Sequence, residues 1–381
     1  MKILMTGATG MLGVEMVPRL LDHGHSVVAV VRTERPSNTE GLSYIKGDLV
    51  EELNLPWDLI DAVLHLGALT SLRQRNAEEV WNVNAGGTAR LLRAALQAGV
   101  TRFFYCSSLY VAGDESRIFN EEDLGVGQWL KNPYEASKVA AEGHVRSSGV
   151  DATIFRPGIL VGRHSDGHAA FFEGFYRPYK ALVATHRMAE KTLSLPPREE
   201  FERRFSLPSL HLPIRVYGDP DCAVALTPVD WAAETMAKLI DEGDLRTYHI
   251  VPAELPQLRI MADAANHALG LTGFHVGPGP TRNPLDMFYN RLIRDFHPYL
   301  QNQPIFGTTV GADCPPVDAE YMERVVRYWR EHDGDGARET RTEQVQFPGN
   351  GGAGDAQGLR GEASVPGNHE HPIRRAGRPA D

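Results

Sequence analysis

The feature that most constrains the fold is an alternation of short apolar runs with helical patterns over residues 2 to about 165. The runs are continuously apolar, which is typical of strands buried on both faces of a parallel sheet. Alternating strands and helices predict an α/β fold built on a doubly wound parallel sheet. The five strand-like runs are KILMTG (2–7), SVVAVV (26–31), DAVLHLG (61–67), RFFYCSS (102–108) and ATIFRP (152–157).

A glycine-rich turn, TGATGMLG, separates the first strand from the first helix. Glycines at this place allow a tight turn, so that a pyrophosphate can approach the free N–H groups and positive dipole of the helix N-terminus. A strand before the turn and a helix after it favour a dinucleotide site in a Rossmann-type domain over a structural turn. The candidate cofactor-binding residues of this turn are Gly7, Thr9, Gly10, Met11, Leu12 and Gly13.

The end of the second strand indicates which dinucleotide is bound. An acidic residue there would accept hydrogen bonds from the adenosine ribose, whereas an arginine pairs with a 2′-phosphate. Arg32 occupies this position and Arg35 follows, which favours NADP(H) over NAD(H), although a solvated surface arginine is the alternative. Asp48, followed by Leu49, is placed to reach the adenine amino group or, equally, to stabilise a turn. Further cofactor-binding candidates are Leu66, Gly67, Ala68, Pro157 and Gly158.

The pattern changes after Gly162, and this change suggests two domains and a tail. Residues 1–167 with about 215–250 form the predicted NADP-binding domain, and 168–214 with about 251–332 form the predicted substrate-binding cap. A final amphipathic helix is predicted over 317–332. Residues 333–381 contain almost no large apolar side chain and are expected to be a disordered tail.

Composition excludes some classes of function. The formal net charge of −10 argues against a nucleic-acid partner bound through a generally basic surface. Three widely separated cysteines make no CxxC motif, and no apolar run approaches the roughly 18–20 residues of a membrane span. The chain enters a strand at once, which leaves no signal peptide. A reduced cytoplasmic protein without a membrane span is therefore expected.

The stretch NPYEASKVAAE places Tyr134 and Lys138 four residues apart, one turn apart on the same face of a helix. A free tyrosine holds its proton near pH 10, and it becomes a useful acid–base group at neutral pH when nearby positive charge stabilises its phenolate. The spacing therefore favours a tuned acid over a surface pair. A hydride added to a carbonyl carbon would need such a donor beside the developing oxyanion.

Seven motifs in this order resemble the extended short-chain dehydrogenase/reductase superfamily over residues 1 to roughly 250: TGATGMLG, GDL, DAVLHLGA, NAGGT, SSLYVAG, YEASK and RPGILVG. The segments SKVAAE, RPGILVGRHSDG and TPVDWAAETMAKLI look most like the thioester reductase and fatty acyl-CoA reductase branch. The resemblance implies that Tyr134 is the proton donor or acceptor, that Lys138 binds the nicotinamide ribose and lowers the tyrosine pKa, and that Ser108 holds the substrate carbonyl. It implies further that Asn84 lies at a helix kink in a proton relay and that Pro157 and Gly158 lie against the nicotinamide.

The resemblance also narrows the reaction. Sugar dehydratases of this superfamily carry an Asp–Glu pair where this chain has Leu109 and Tyr110, and epimerases generally retain NAD, against which Arg32 argues. We therefore expect an NADPH-dependent reductase of an acyl thioester, borne by CoA or by a separate acyl carrier protein, that yields an aldehyde or alcohol. The alternatives are a ketone or aldehyde reductase like the hydroxysteroid dehydrogenases, a sugar-nucleotide epimerase or dehydratase relative, and a non-catalytic NADP-binding regulator.

Residues 168–213 leave two interpretations open. FFEGFYRPY either lines an acyl channel or packs its own aromatics in a helical cap, and the basic residues either meet CoA phosphates or form an ordinary charged face. These basic residues are Arg177, Lys180, Arg187, Lys191, Arg203 and Arg204. His164 and His168 lack a clear third ligand, so no metal is expected. By resemblance, a homodimer through a four-helix interface is expected.

Overall fold

Seven parallel strands form the central sheet in the computed structural model, which describes residues 1–53, 55–193, 210–279, 283–301 and 303–334. The strand order is β7-β6-β5-β4-β1-β2-β3. Strands β2 and β3 follow on one side of β1 and strands β4 to β7 on the other, so the direction in which strands are added to the sheet reverses between β1 and β4. This confirms the predicted doubly wound α/β fold. The strands are β1 (Lys2–Thr6), β2 (Ser26–Val31), β3 (Leu42–Lys46), β4 (Ala62–His65), β5 (Arg102–Cys106), β6 (Asp151–Pro157) and β7 (Thr247–Ile250).

Helices cover both faces of the sheet, because successive side chains of each strand point to opposite sides. Ile3 and Met5 of β1 pack into the core on one face, and Leu4 between them packs into the core on the other. The helices are α1 (Met11–Asp22), α2 (Ala77–Trp81), α3 (Gly87–Gln97), α4 (Pro133–Ser147), α5 (Arg177–Leu193), α6 (Val229–Glu242), α7 (Leu258–Leu269), α8 (Pro284–Leu292) and α9 (Ala319–Asp333). Among them α1 and α6 contribute to the first core, and α3 and α4 to the second.

A third core lies among α5, α7, α8 and α9. Short strands outside the main sheet accompany it, and they form two-stranded parallel sheets. It includes Val161 and Val216 from the predicted nucleotide domain as well as Trp329 from α9. The short strands are Ile118–Phe119, Ile159–Val161, Leu210–His211, Arg215–Tyr217, Leu226–Pro228, Leu271–Thr272, His275–Gly277 and Ile305–Phe306. The proposed domain limits stay a prediction.

Several helices begin or end where local signals in the sequence predict it. Helix α3 closes before Gly99, whose φ of 80° suits a residue without a Cβ. Asp318 caps α9 by accepting a hydrogen bond from the N–H of Tyr321 at 3.0 Å. The predicted tail from residue 333 onward lies outside the described residues, apart from Asp333, which ends α9, and Gly334.

Candidate active site

The carboxyl ends of the sheet strands bring the candidate residues to one edge of the molecule. Parallel strands place these ends together, and a crevice opens where the strand order reverses. Here the reversal falls between β1 and β4. Thr6, His65, Cys106 and Pro157 end four neighbouring strands, so the loops that follow them meet at this crevice.

The glycine turn lies at the crevice with its helix N-terminus uncovered. Gly10 is the N-cap of α1, and neither a side-chain cap nor an acidic residue occupies the first turn of this helix. A Cβ on Gly7 would lie 2.7 Å from the backbone nitrogen of Gly67, and one on Gly13 would overlap the carbonyl oxygen of Gly7. A side chain at either position would therefore displace backbone, which explains both glycines without invoking a ligand. A Cβ on Gly10 would meet only the Gly7 oxygen, at 3.3 Å, so this side of the turn is open. Thr9 and Met11 beside it are half-buried, and Leu12 is buried.

The two arginines after β2 differ in their surroundings. Arg32 is exposed and has no ion-pair partner among the described residues. Arg35 lies over the ring of Tyr44 of β3, with its guanidinium carbon 5.4 Å from the ring centroid. Arg32 is therefore the guanidinium free to meet a phosphate, and Arg35 is held against the sheet edge.

The remaining candidates on the adenosine side make backbone contacts. Asp48 accepts a hydrogen bond from the N–H of Val50 at 3.1 Å, which is the turn role that the sequence left open. Leu49 supports the turn, and its carbonyl accepts from Arg90 at 2.7 Å. Gly67 donates its N–H to the Thr6 hydroxyl at 3.1 Å, and Ala68 beyond it is exposed. Leu66 is half-buried and packs against the core that contains α1.

Pro157 and Gly158 lie at the carboxyl end of β6. The N–H of Gly158 donates to the Ile250 carbonyl of β7 at 3.3 Å. A Cβ on Gly158 would lie 2.8 Å from the hydroxyl of Thr227 and would overlap the Ala225 carbonyl. The glycine is therefore needed for this close approach of two chain segments.

Tyr134 and Lys138 both lie on α4, on the turn spacing that the sequence predicted. The helix begins there because Asn132 accepts a hydrogen bond from the Glu135 N–H at 3.1 Å and Pro133 occupies the first helical position. The Lys138 ammonium is 2% exposed and donates to the Cys106 carbonyl at 2.7 Å. It also lies 4.5 Å from the centroid of the Tyr105 ring, so two neighbouring residues of β5, Tyr105 and Cys106, hold the ammonium.

The direction of the Tyr134 pKa differs from what the resemblance implies. Burial raises the pKa of Tyr134 to about 12, and the hydrogen bond to Ser108 opposes this rise only in part. Burial also lowers the pKa of Lys138 to about 8. The resemblance implied a lowered tyrosine pKa, but the direction here is upward, because removal of water from the phenolate outweighs the hydrogen bond to Ser108.

Ser108 lies beside Tyr134 and is 5% exposed. It caps a short 3₁₀ turn, Leu109–Ala112, by accepting a hydrogen bond from the N–H of Tyr110 at 3.2 Å. Leu109 is fully buried, and the Tyr110 ring packs edge-on against Tyr299 with centroids 5.1 Å apart. The two residues after the serine thus form an apolar wall and carry no carboxylate.

Asn84 lies in a π-helical turn, Asn82–Gly86, that joins α2 to α3. The side chain is 1% exposed. Its oxygen accepts from the N–H of Leu69 at 2.7 Å, and its nitrogen donates to the Leu69 carbonyl at 3.0 Å and to the Ser137 hydroxyl at 2.9 Å. Asn84 therefore fixes the loop after β4 and helix α4, which carries Tyr134 and Lys138, relative to each other.

A buried hydrogen-bond chain that the sequence did not predict runs from β1 to this kink. Thr88 donates to the Asn84 carbonyl at 2.6 Å, and the Nε2 atom of His65 lies 3.0 Å from the Thr88 hydroxyl. The Nδ1 atom of His65 lies 2.6 Å from the hydroxyl of Thr6. Burial lowers the pKa of His65 to about 3, so the imidazole is neutral at physiological pH. Because Thr88 uses its own proton, His65 carries its proton on Nε2. The only sequence signal was a histidine at a strand end.

A second unpredicted cluster surrounds the start of α4. The Tyr299 hydroxyl donates to Glu135, which is fully buried, and accepts from the Asn132 amide at 2.5 Å. The Lys131 ammonium lies 4.8 Å from the centroid of the Tyr299 ring and makes no hydrogen bond in the described part of the chain. Burial lowers the pKa of Lys131 and raises the pKa of Glu135. Tyr299 thereby joins the C-terminal part of the chain to the residues flanking Tyr134.

One helical turn beyond Lys138, on the same side of α4, lies a buried ion pair. Glu142 and Arg156 have no exposed side-chain surface, and their charged atoms approach to 2.6 Å. Glu142 also accepts a hydrogen bond from Ser107 at 2.6 Å, and Ser107 precedes Ser108. This pair therefore fixes α4, β6 and the serine loop together.

The aromatic segment packs on itself. Phe175, Tyr176 and Tyr179 are buried in the third core, where Tyr176 accepts from the Gly162 N–H at 3.1 Å. Phe175 contacts both tyrosines edge-on. The packed-cap interpretation is therefore correct for these three side chains, and they do not line a channel.

The basic residues of the same segment are only partly described. Lys180 pairs with Asp333 at 2.9 Å, and Arg177 lies 5.6 Å from the centroid of the Phe296 ring. Arg187 also has an interaction partner within the protein. The side chains of Lys191, Arg203 and Arg204 lie outside the described residues.

The described residues contain neither a metal-binding cluster nor a membrane-spanning helix. No group of three or more His, Cys, Asp and Glu side chains is placed to hold a metal ion in that part of the chain. His164 instead lies 3.1 Å from the Pro316 carbonyl through Nε2. Within the same residues, no helix combines the length and the apolar character needed to cross a bilayer.

Comparison with known proteins supports this organisation. Residues 3–181 match the NAD dependent epimerase/dehydratase family. A UDP-glucose 4-epimerase sequence of Klebsiella pneumoniae is 32% identical over 135 residues, which are 31% of this chain and 96% of that sequence. The 3 beta-hydroxysteroid dehydrogenase/Delta 5-->4-isomerase of Mycobacterium tuberculosis is 32% identical over 165 residues, 40% of this chain and 44% of that protein. This chain spans about half the length of several curated relatives that it matches.

A solved structure extends the likeness to the C-terminal part. The terminal R domain from the myxalamid PKS-NRPS biosynthetic pathway superposes with a TM-score of 0.66 at 20% identity, covering 87% of this chain and 90% of that one. At this identity the comparison shows the fold. From the match over the nucleotide-binding half and the nearly full-length match to the Klebsiella sequence, this chain belongs to the NAD dependent epimerase/dehydratase family, within the extended short-chain dehydrogenase/reductases.

Proposed function

We propose that this protein is an NADP(H)-dependent reductase that acts on the carbonyl of an acyl thioester. The observation that carries the proposal is the contact between the hydroxyls of Ser108 and Tyr134, with Lys138 one helical turn away. Two donors that converge on one point can hold a carbonyl oxygen and stabilise negative charge on it. Leu109 and Tyr110 follow the serine, so the wall beside it offers no carboxylate for the elimination of water.

The residues present fit the dinucleotide. The open side of the turn at Gly10 and the uncapped N-terminus of α1 would hold the pyrophosphate, and exposed Arg32 would meet the 2′-phosphate of NADP(H). Lys138 would hold the nicotinamide ribose, beside Pro157 and Gly158. When bound, the reduced nicotinamide supplies a hydride, that is, two electrons and the hydrogen that forms the new C–H bond.

The protein side chains handle the oxygen and the protons. Ser108 would donate to the carbonyl oxygen, and Tyr134 would give its proton to that oxygen as charge develops there, with the Lys138 ammonium offsetting the charge left on the phenolate. The product of this step is a hemithioacetal. Its C–S bond then breaks while its hydroxyl returns a proton to Tyr134, and the thiolate takes up one proton from solvent. One thioester, one NADPH and one proton thus give an aldehyde, a free thiol and NADP⁺.

A ketone reductase is the second candidate, because Ser108, Tyr134 and Lys138 would serve a ketone equally well without a leaving thiol. The likeness to the Mycobacterium tuberculosis 3 beta-hydroxysteroid dehydrogenase/Delta 5-->4-isomerase favours this candidate. A nucleotide-sugar epimerase would use the same hydroxyls and would regenerate its cofactor in each cycle. A substrate panel separates all three, since only a thioester releases thiol, and an epimerase converts its substrate without net oxidation of cofactor.

The test follows NADPH oxidation at about 340 nm and thiol release with a medium-chain acyl-CoA, a 3-ketosteroid and UDP-glucose in parallel. We expect oxidation and thiol release with the acyl-CoA. Tyr134→Phe should lower this turnover by at least about 100-fold, because the proton donor is lost.

Tyr217→Phe, which removes the hydroxyl of a partly exposed tyrosine, is the matched control. Oxidation with the ketosteroid alone, or equal turnover by Tyr134→Phe, would overturn the proposal. An NADP-binding regulator would bind NADPH and turn over none of the three substrates.

A further inference from the structure

A strongly basic cavity lies at the other end of the segment that leads to Tyr299. Its volume is about 480 Å³, within the range of small-molecule sites. One wall is the loop after β4, with Arg73 and Arg75, and the other wall comes from the end of α8 and the 3₁₀ turn Arg294–Tyr299. Four guanidinium groups against one carboxylate give this lining a formal charge of +3. The lining residues are Arg73, Gln74, Arg75, Arg291, Leu292, Arg294 and Asp295.

The positive charge of this arginine pocket is only partly neutralised. Asp295 is shared by Arg73, at 3.2 Å, and by Arg294, at 3.7 Å. Arg75 and Arg291 are exposed and have no carboxylate partner in the described ranges. In a chain with a formal net charge of −10, four guanidinium groups converge here around one carboxylate. Such an arrangement favours an anion, and the planar guanidinium fork matches the oxygens of a phosphate.

Both walls of the arginine pocket lead directly to the candidate catalytic residues. The 3₁₀ turn that begins at Arg294 ends at Tyr299, whose hydroxyl contacts Asn132 at 2.5 Å and Glu135, on either side of Tyr134 in the sequence. The five steps from Arg294 to Tyr299 rise by about 10 Å along a 3₁₀ helix. The other wall follows Leu69, which Asn84 holds at 2.7 Å. A ligand anchored by its charged end in the pocket would need an uncharged arm of at least this length to reach the neighbourhood of Tyr134.

We propose that the arginine pocket binds the phosphate groups of a nucleotide-borne substrate, namely the 3′-phosphoadenosine diphosphate end of a CoA thioester. This inference rests on the proposed function, because it names the carrier of the acyl group. The basic residues of 168–213 do not supply an equivalent site where they are described, since Lys180 and Arg177 are engaged within the protein. A cavity fits a compact phosphate group better than it fits the broad acidic face of a protein partner. A nucleotide-sugar diphosphate presents the same chemistry, so the experiment must distinguish the two sources.

The experiment compares the wild type with the double variant Arg75→Gln/Arg291→Gln. Arg93→Gln removes one exposed charge on α3, outside the pocket, and is the control. The kcat/KM for an acyl-CoA is divided by that for the same acyl group on pantetheine, which lacks the nucleotide phosphates. We expect the double variant to lower this ratio by about tenfold or more, through KM, and the loss to shrink at high salt. Arg93→Gln should keep the wild-type ratio. An unchanged ratio in the double variant would overturn the proposal.

A direct binding measurement separates this proposal from the proposed function. Titration calorimetry with free CoA, at saturating NADP⁺ so that the dinucleotide site is filled, should show binding that the double variant weakens by at least tenfold. This result would hold even if no thioester were reduced, and the proposed function alone would then fail. Binding of UDP-glucose but not CoA in an arginine-dependent manner would overturn the CoA assignment. An arginine dependence seen only with a carrier-protein thioester would also overturn it.

Discussion

The Lys138 ammonium donates to the backbone carbonyl of Cys106 at 2.7 Å, so the residue that ends β5 holds the charge beside Tyr134. The contact fixes the ammonium between the sheet edge and α4. It also keeps the charge in a water-poor place, which lowers the pKa of Lys138 to about 8 by burial. Burial therefore disfavours the charge that this contact holds one helical turn from Tyr134.

The free-energy cost of burying the Lys138 charge predicts a pH dependence of stability. The lysine titrates at 10.5 when exposed and at about 8 in the fold, so the unfolded chain binds more protons between these values. The free energy of unfolding should therefore gain a contribution that rises from pH 8 toward 10.5, on the order of 3 kcal/mol in full. Denaturant unfolding of the wild type and Lys138→Met at pH 7.5, 8.5 and 9.5 gives the free energy of unfolding of each protein against pH. The difference between these two curves measures the contribution of Lys138. Parallel curves would contradict the prediction. Turnover should be lost in Lys138→Met at every pH.

The buried pair of Glu142 and Arg156 predicts a large loss of stability on removal of one partner. Glu142→Gln leaves the Arg156 guanidinium buried without a counter-charge, which costs about 3–5 kcal/mol. Arg146→Gln is the control, because Arg146 pairs with the same carboxylate but is 32% exposed. Its removal should cost about 1 kcal/mol or less. Urea unfolding at pH 7 measures both values, and equal losses would refute the distinction.

The same pair predicts acid sensitivity. Burial alone would raise the pKa of Glu142, but Arg156 and the hydrogen bond from Ser107 lower it below its usual value of 4.5. The stabilisation is therefore fully present above about pH 4.5 and is lost as pH falls through the lower value in the fold. The gap in stability between wild type and Glu142→Gln should narrow below pH 4.5. A constant gap down to pH 3 would contradict this.

Replacing two helical glycines by alanine should have different effects: Gly13→Ala should weaken NADPH binding, and Gly143→Ala should stabilise the protein. A Cβ at Gly13 would lie 2.6 Å from the carbonyl carbon of Ala8, so Gly13→Ala must displace the backbone of the turn. We expect the Kd for NADPH to rise by at least about tenfold. Gly143 lies on α4 with nothing within 4 Å of an added Cβ. Gly143→Ala should therefore stabilise the protein by about 0.5–1 kcal/mol. Fluorescence titration with NADPH and thermal unfolding of each variant measure the two effects.

The choice of coenzyme is predicted to depend on Arg32 more than on Arg35. Arg32 is exposed and unpaired in the described chain, whereas Arg35 is held over Tyr44. Arg32→Asp replaces a phosphate partner with a carboxylate that repels phosphate and accepts from ribose hydroxyls. The ratio of kcat/KM for NADPH over NADH should fall by at least about tenfold. Arg93→Asp is the control, and an unchanged ratio in Arg32→Asp would show that the phosphate lies elsewhere.

The features that could be predicted from the sequence are those whose residues lie close together in the chain. The glycine turn, the strands that precede it and follow it, and the Tyr134–Lys138 spacing on α4 are of this kind. The hydrogen bond of Asn132 to Tyr299 joins residues 167 positions apart, and the contact of His65 with Thr6 spans 59. No local spacing indicates such pairs. The direction of the Tyr134 pKa was also hidden, because it depends on burial rather than on the distance between two positions in a helix.

The buried hydroxyl of Tyr110 predicts a gain in stability when it is removed. It is buried, with 8% of the residue exposed, and it has no hydrogen-bond partner among the described residues. An unsatisfied buried hydroxyl costs about 1–3 kcal/mol, so Tyr110→Phe should stabilise the protein by up to this amount. The hydroxyl oxygen has almost no accessible surface, so a substrate cannot reach it while the turn keeps this conformation. Tyr110→Phe should therefore keep the KM for the acyl thioester and the Kd for NADPH close to the wild-type values. Leu109→Ile, on the same turn, controls for disturbance of the loop. Thermal unfolding measures the gain in stability, and a destabilised variant or a raised KM would show that the hydroxyl has a partner.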